Sequence, residues 1–355
     1  MVSVLRQDTN HVLIHTGQNY DSQLNEIFFN DLKLAPPDVF LNAARDTPVK
    51  TIAAVLESAE TALAHVKPDA VLVLGDTNSG LSLIAAKRMG IPSFHMEAGN
   101  RCFDPRVPEE VNRKIIDHIA DINLPYSAIA REHLLREGIA PDRIIVTGSP
   151  MTEVIHYYKQ SIDSSRILQT LGLQQNAFFV VSLHREENVD DLRRLNEFTT
   201  MFNSLATQEE LPLVISTHPR TRKRLKELNA DLHPLIRLVE PLSFTDYVYL
   251  QTRATAVLSD SGTISEESSI LKFRAVNLRD AHERHEAMEQ ASVIMVGSSF
   301  ERLQQALTIL RSRGTDEFSQ INRPADYQDI NVAEKVSRII HSYIDVVRRN
   351  NRLII

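Results

Sequence analysis

The chain has 355 residues, with 39 Lys and Arg against 46 Asp and Glu, a formal net charge of −7. That length exceeds one typical core and predicts two domains, and the acidic balance argues against a nucleic-acid-binding surface, which is normally basic. The single cysteine, Cys102, excludes a disulfide framework and any multi-cysteine metal site. No apolar run approaches the ~20 residues that span a bilayer, and MVSVLRQDTN lacks the apolar core of a signal peptide. The expectation is a cytoplasmic protein with no membrane and no nucleic-acid partner.

Short apolar runs alternate with amphipathic stretches. In the first half, HVLIH (11–15), AVLVL (70–74), PSFHM (92–96), DINLP (121–125) and RIIV (143–146) read as buried strands. Asp21 is placed to cap a helix carrying Leu24, Ile27, Phe28 and Leu32 on one face, and residues 48–66 and 79–89 are helical by spacing. The polar segment 157–170 reads as a boundary. The alternation then restarts with FFVVSL (178–183), LVIST (213–217), IRLVE (236–240), AVLSD (256–260), RAVNL (274–278) and SVIMV (292–296). A last helix is predicted over about 331–349, after the loop NRPADYQD. The pattern predicts an α/β protein of two Rossmann-like doubly wound domains, each a parallel sheet covered on both faces, with ligands in a cleft at the carboxyl ends of the strands. The domains are expected at 1–155 and 170–328, with 329–355 as a C-terminal helix.

The loops after strands therefore carry the chemistry. GDTNSG follows AVLVL and places Asp76 at a strand end; alone it reads as a turn and helix cap. EAGNRCFDPRVPEEVNR follows PSFHM and holds Glu97, Arg101, Asp104, Arg106, Glu109, Glu110 and Arg113. Crowded acids raise one another's pKa values, as a general acid or base at neutral pH requires. TGSPM (147–151) opens a further helix, whose N-terminus attracts anions.

In the second half, His184 begins HREEN, His218 begins HPRTRKR, and Arg279 and Arg284 lie in RDAHERHE. Ser261, Gly262 and Thr263 form a small-residue turn before a helix, a good diphosphate cradle. Glu267, one turn on, suits ribose hydroxyls or serves the helix dipole. No zinc-type spacing involves either histidine, so phosphate or sugar contacts are favoured and no metal is expected. There is no GxGxxG after a strand, no P-loop and no GxSxG elbow.

GDTNSG, HMEAGNR, VPEEVNRKIIDH, TGSPM, HREEN, SDSGTISEES and RDAHER, in that order, resemble the motif series of the non-hydrolysing UDP-N-acetylglucosamine 2-epimerases over most of the chain. Each motif is weak alone, but the ordered set is specific. The resemblance implies the glycosyltransferase-B fold, a last helix that packs back on the first domain, a homodimer, no cofactor, and a UDP-N-acetylhexosamine substrate. It implies that Asp76, Glu97, Glu109 and His184 are catalytic, with Arg113 supporting the acid loop. It further implies that His218, Ser261, Gly262, Thr263, Glu267, Arg279 and Arg284 bind UDP or the sugar.

EAGNRCFDPRVPEEVNRKIIDH and GSPMTEV resemble most the branch that makes UDP-N-acetyl-L-fucosamine from its talose epimer for capsule or O-antigen. Two departures stand out. Family members begin with a strand and a Gly-Thr-Arg-Pro-Glu loop, whereas this sequence starts at MVSVLRQ, so the first domain is expected to lack its N-terminal strand. His285 stands where the family has proline. The competing readings are epimerisation of UDP-N-acetylglucosamine to the manno epimer, a hydrolysing epimerase, a UDP-sugar-dependent glycosyltransferase of the same fold, and a truncated, inactive UDP-sugar binder.

Overall fold

A computed structural model of the chain describes residues 1–17, 29–105, 107–217, 219–312 and 323–352. They form two compact units, one from the described residues of Met1–Ser22, Leu34–Glu153 and Asp326–Ile355, the other from those of Gln23–Lys33 and Val154–Ala325. Every strand pair in both units is parallel.

In the first unit, β1 (Ile14–His15) pairs with β2 (Val39–Phe40), while β3 (Val71–Leu74), β4 (Ser93–Met96) and β5 (Ile122–Leu124) form a separate sheet in that order. All four residues of β4 are buried. Strand alternation sends Phe94 and Met96 to one face, where Leu124, Leu5, Val332, Val336 and Ile340 meet them. The helix Val332–Arg352 therefore belongs to this unit's core. The opposite face packs on Ala59 and Leu63 of the helix Pro48–Val66 and Ile116 of the helix Pro108–Ile119. The first of these helices is bounded by its own sequence. Thr47 accepts the Lys50 N–H, Pro48 stands at the first turn, and Lys67 ends it at φ 49°.

The predicted strand at 143–146 does not form. That segment touches β5 only through one parallel bridge between Asn123 and Ile144, and its first residue closes a 3-10 turn at Pro141–Arg143. Apolar content suffices for burial, but a strand also needs a paired ladder on a free edge. Residues 79–89 split into a 3-10 segment, Asn78–Ser82, and a helix, Leu83–Arg88. The helix expected after Asp21 falls largely outside the described residues.

The second unit holds a six-stranded sheet of order β11-β10-β9-β6-β7-β8. Its strands are β6 (Phe179–Ser182), β7 (Leu213–Ser216), β8 (Ile236–Val239), β9 (Ala256–Ser259), β10 (Ala275–Asn277) and β11 (Ile294–Met295). Both faces are covered. Phe179, Val181, Leu213, Ile215 and Leu258 enter one core, and Phe178, Val180, Val214 and Val257 enter the other. Burial on both sides explains the unbroken apolar runs. Residues 157–170, read from sequence as a polar boundary, include two short helices, Lys159–Asp163 and Ile167–Thr170, within this unit.

Candidate functional site

The second unit's strand order reverses between β6 and β9, which are direct neighbours with Ser182 opposite Ser259. Loops leaving the carboxyl ends at such a reversal diverge and open a crevice, the usual ligand position in doubly wound sheets. His184 leaves β6 there, and Asp260 leaves β9. Asp260 is fully buried and accepts from the His184 and Arg185 backbone N–H groups at 3.1 and 2.9 Å and from Asn188 Nδ2 at 3.1 Å. His184 Nδ1 lies 3.0 Å from the same carboxylate, while the His184 side chain remains 43% exposed. Burial alone would raise the Asp260 pKa; the His184 imidazole, the Arg185 N–H and Asn188 outweigh it and bring it to about 2. One buried anion thus shapes the 184–188 loop and orients the imidazole.

Ser261 and Thr263 precede the helix Ile264–Leu271, with their hydroxyls 3.0 Å apart. Gly262 leaves room for its neighbours: a Cβ there would lie 2.3 Å from Glu283 Oε1 and 3.2 Å from Arg185 Nη2, so those side chains would have to move. Glu283 is buried and accepts from Arg279 Nη1 at 2.6 Å and Arg185 Nη2 at 3.2 Å. Arg284 is likewise buried and pairs with Glu266 at 3.1 Å. Glu267 accepts from Gln251 Nε2 and from Thr263 Oγ1, and burial raises its pKa against those donors. Ser261, Gly262, Thr263 and Glu267 are thus brought together, with Arg185 and Glu283 against Gly262. Arg279 and Arg284 each pair with a carboxylate of the protein. His218 lies outside the described residues.

The first unit gathers a different set. Asp76 follows Gly75 at the end of β3, and Glu97 follows β4, the neighbouring strand. Arg113 reaches Asp76 Oδ2 through Nε and Nη2, both at 2.7 Å, and Glu110 Oε2 through Nη1 at 3.1 Å. Glu97 accepts from Asn100 Nδ2 at 3.3 Å, and its Oε2 lies 3.4 Å from where a Gly75 Cβ would be. Its backbone sits at φ 67°, a left-handed conformation costly for a side-chain-bearing residue and concentrated at functional sites. Glu109 stands in the first turn of the Pro108–Ile119 helix and makes no hydrogen bond or ion pair among the described residues.

Glu110 is the opposite case. It is buried and accepts from the Cys102 N–H at 3.0 Å, the Phe103 N–H at 3.3 Å and Arg113. Burial would raise its pKa, but those donors hold it below the ordinary carboxylate value. The expectation that crowded acids raise one another therefore fails at Glu110, because N–H donors and Arg113 surround it. Sequence reasoning gave no role to Glu110, Arg185, Asp260 or Glu283. For Glu110 a signal existed, its i, i+3 spacing to Arg113. Glu283 likewise stands at i, i+4 from Arg279, whereas Asp260 and Arg185 meet their partners 72 or more residues away.

Comparisons with known proteins agree on one family. A family profile described as UDP-N-acetylglucosamine 2-epimerase matches residues 4–341. A solved structure of UDP-N-acetylglucosamine 2-epimerase from Rickettsia bellii is 44% identical, covering 98% of this chain and 93% of its own, with a TM-score of 0.88. The Methanocaldococcus jannaschii UDP-GlcNAc 2-epimerase, solved in complex with UDP-GlcNAc and UDP, is 31% identical over 96% and 94% of the two chains, also at 0.88. A UDP-2,3-diacetamido-2,3-dideoxy-D-glucuronate 2-epimerase from Pseudomonas aeruginosa is 32% identical over 84% of this chain and 83% of its own. The α/β fold with parallel sheets matches these glycosyltransferase-B-like structures. No helix among the described residues is long and apolar enough to cross a membrane.

Proposed function

The chain belongs to the UDP-N-acetylglucosamine 2-epimerase family, and from that premise we propose that it inverts C2 of a UDP-N-acetylhexosamine by eliminating and re-adding UDP. Family membership makes it an epimerase, an isomerase; the substrate and the residue roles are this proposal. The observation that carries the roles is the pair of carboxylates at the ends of adjacent parallel strands, Asp76 after β3 and Glu97 after β4. A carboxylate takes the C2 proton while the C1–O bond to UDP breaks, and the C–H electron pair forms a C1=C2 double bond. UDP then adds back at C1, and a second acid protonates C2 on the other face. Glu109, which has no side-chain partner among the described residues, is available for that second transfer.

Each remaining group has a physical reason for its role. Arg113 holds Asp76 in place through two contacts to one carboxylate oxygen. His184, oriented by Asp260, donates to the departing diphosphate. Ser261, Gly262 and Thr263 supply N–H and hydroxyl groups to the diphosphate at a helix N-terminus. Glu267 takes the ribose hydroxyls, and His218 a phosphate. Arg279 and Arg284 act through Glu283 and Glu266, as supports for the diphosphate turn.

For the sugar, we favour the 6-deoxy-L-talose epimer, giving UDP-N-acetyl-L-fucosamine for a surface polysaccharide, on the strength of the EAGNRCFD and GSPMTEV segments. The UDP-diacetamidoglucuronate epimerase at 32% identity supports treating the sugar as variable within the family. The enzyme is taken to act as a cytoplasmic homodimer. The test incubates purified protein with a panel of UDP-N-acetylhexosamines in heavy water and follows C2 by NMR. Deuterium at C2 is expected, fastest with the 6-deoxy-L-talo sugar. No incorporation with any sugar overturns the epimerase reading, and fastest exchange with UDP-N-acetylglucosamine overturns the branch.

A further inference from the structure

Asp117 has no part in the chemistry proposed above, yet it is 1% exposed and carries more contacts than its place in a helix demands. It sits on Pro108–Ile119, one turn beyond Arg113. His95 Nδ1 lies 2.8 Å from its carboxylate, Arg101 Nη1 2.7 Å, and the Gly99 N–H donates at 3.2 and 3.3 Å. Burial would raise its pKa, but His95 and Arg101 hold it below the usual carboxylate value.

Each of those partners leads onward to a carboxylate of the C2 chemistry. The other nitrogen of His95, Nε2, lies 2.9 Å from the Gly75 carbonyl oxygen, and Gly75 immediately precedes Asp76. Gly99 is two residues beyond Glu97. Arg101 Nη1 donates to the Asn100 carbonyl at 2.7 Å, and Asn100 Nδ2 donates to Glu97 Oε1. Behind this, Arg101 is forked onto Glu137 at 2.7 and 2.6 Å, and His133 Nδ1 lies 2.9 Å from the Gly99 carbonyl. His95 and Arg101 are both 0% exposed.

We propose that Asp117 is a positioning residue: through His95 to Gly75, and through Gly99 and Arg101 to the Glu97 turn, it holds Asp76 and Glu97 in one fixed relation. The inference rests on the assignment of those two carboxylates to C2 chemistry. A left-handed residue such as Glu97 persists only where its surroundings over-determine it. Here the contacts beyond Glu97 do so, and they converge on one buried anion. A buried, fully paired ionic group is weak evidence for stability in itself. Its value here is that it admits one geometry for two adjacent strand ends.

The test compares the wild type with Asp117→Asn, His95→Asn, Glu97→Gln and the Asp117→Asn, Glu97→Gln double variant. The measured quantities are kcat and KM for C2 deuterium exchange, using the UDP-N-acetylhexosamine that exchanges fastest with the wild type. His95→Asn places an amide where Nδ1 faced Asp117 and removes only the contact to Gly75, so it carries the test if Asp117→Asn does not fold. The expected result is a loss of kcat of about 100-fold in each single variant, the scale of a 1 Å misplacement, with KM within threefold. Asp117→Asn should add clearly less than its full loss in the Glu97→Gln background, because one of its two routes ends at that residue. A kcat within threefold of wild type in the folded variants overturns the proposal while leaving the epimerase reading intact. So does an equal further loss in the Glu97→Gln background, the signature of a structural role alone. A wild type that exchanges no sugar overturns both.

Discussion

Replacing Asp260 with asparagine removes the anion on which the 184–188 loop is built. Five contacts from four donor groups, the His184 and Arg185 N–H, Asn188 Nδ2 and His184 Nδ1, reach its two oxygens. Asparagine offers one acceptor oxygen and turns an NH2 toward groups that themselves donate. The carboxyl pKa falls from 3.8 to about 2 on folding, which amounts to about 2–3 kcal/mol of stability at neutral pH. Because the folded value is the lower one, that stability is complete above the unfolded value and drains away as pH falls from about 4 through 2. Asp260→Asn should therefore lower the melting temperature of the second unit by roughly 5–10 °C at pH 7. The gap between variant and wild type should narrow below pH 4. Calorimetric melts of both proteins across pH 2–7 measure this directly. C2 exchange should fall further than UDP affinity, because His184 loses the partner that orients it. A melting temperature within 1 °C of wild type at pH 7, or a gap unchanged between pH 7 and pH 3, refutes the reasoning.

Gly99 sits at φ 80°, and a Cβ there would lie 2.3 Å from the Ala130 carbonyl oxygen. Gly99→Ala therefore combines left-handed strain with a backbone clash and should cost about 3 kcal/mol or more; a denaturant midpoint equivalent to less than 1 kcal/mol of loss would contradict it. Gly262→Ala meets side chains instead, Glu283 and Arg185, and these can shift. It should leave stability closer to wild type than Gly99→Ala, yet weaken UDP binding at least tenfold by calorimetry; unchanged affinity would remove Gly262 from the cradle. Arg113→Lys cannot reproduce the fork between Asp76 and Glu110. It should lower kcat for C2 exchange by at least tenfold while the protein stays folded, and full activity would show that the charge alone suffices.

The chain-order pattern of strands and helices was legible because it depends on local periodicity. Buried parallel strands leave apolar runs, and ten of the eleven strands among the described residues lie within runs visible in the sequence. The missing one, Val39–Phe40, is two residues long with one of them exposed. The run at 143–146 fails for the converse reason, since a strand is a property of a pair and its neighbour β5 offers only one bridge. The ordered motifs also reached the family, because most of them begin at the carboxyl end of a strand, where chemistry is placed independently of packing.

What only the tertiary structure decided is how the carboxylates divide their work. In the sequence, Glu109 and Glu110 are adjacent and alike. Folded, one has no side-chain partner among the described residues and the other binds two backbone N–H groups and Arg113. Asp117 and Asp260 are spent on holding loops, and Glu283 on holding arginines. The reason is physical: a charge's role depends on what surrounds it after burial, and those surroundings come from residues as far away as the 98 positions between Arg185 and Glu283.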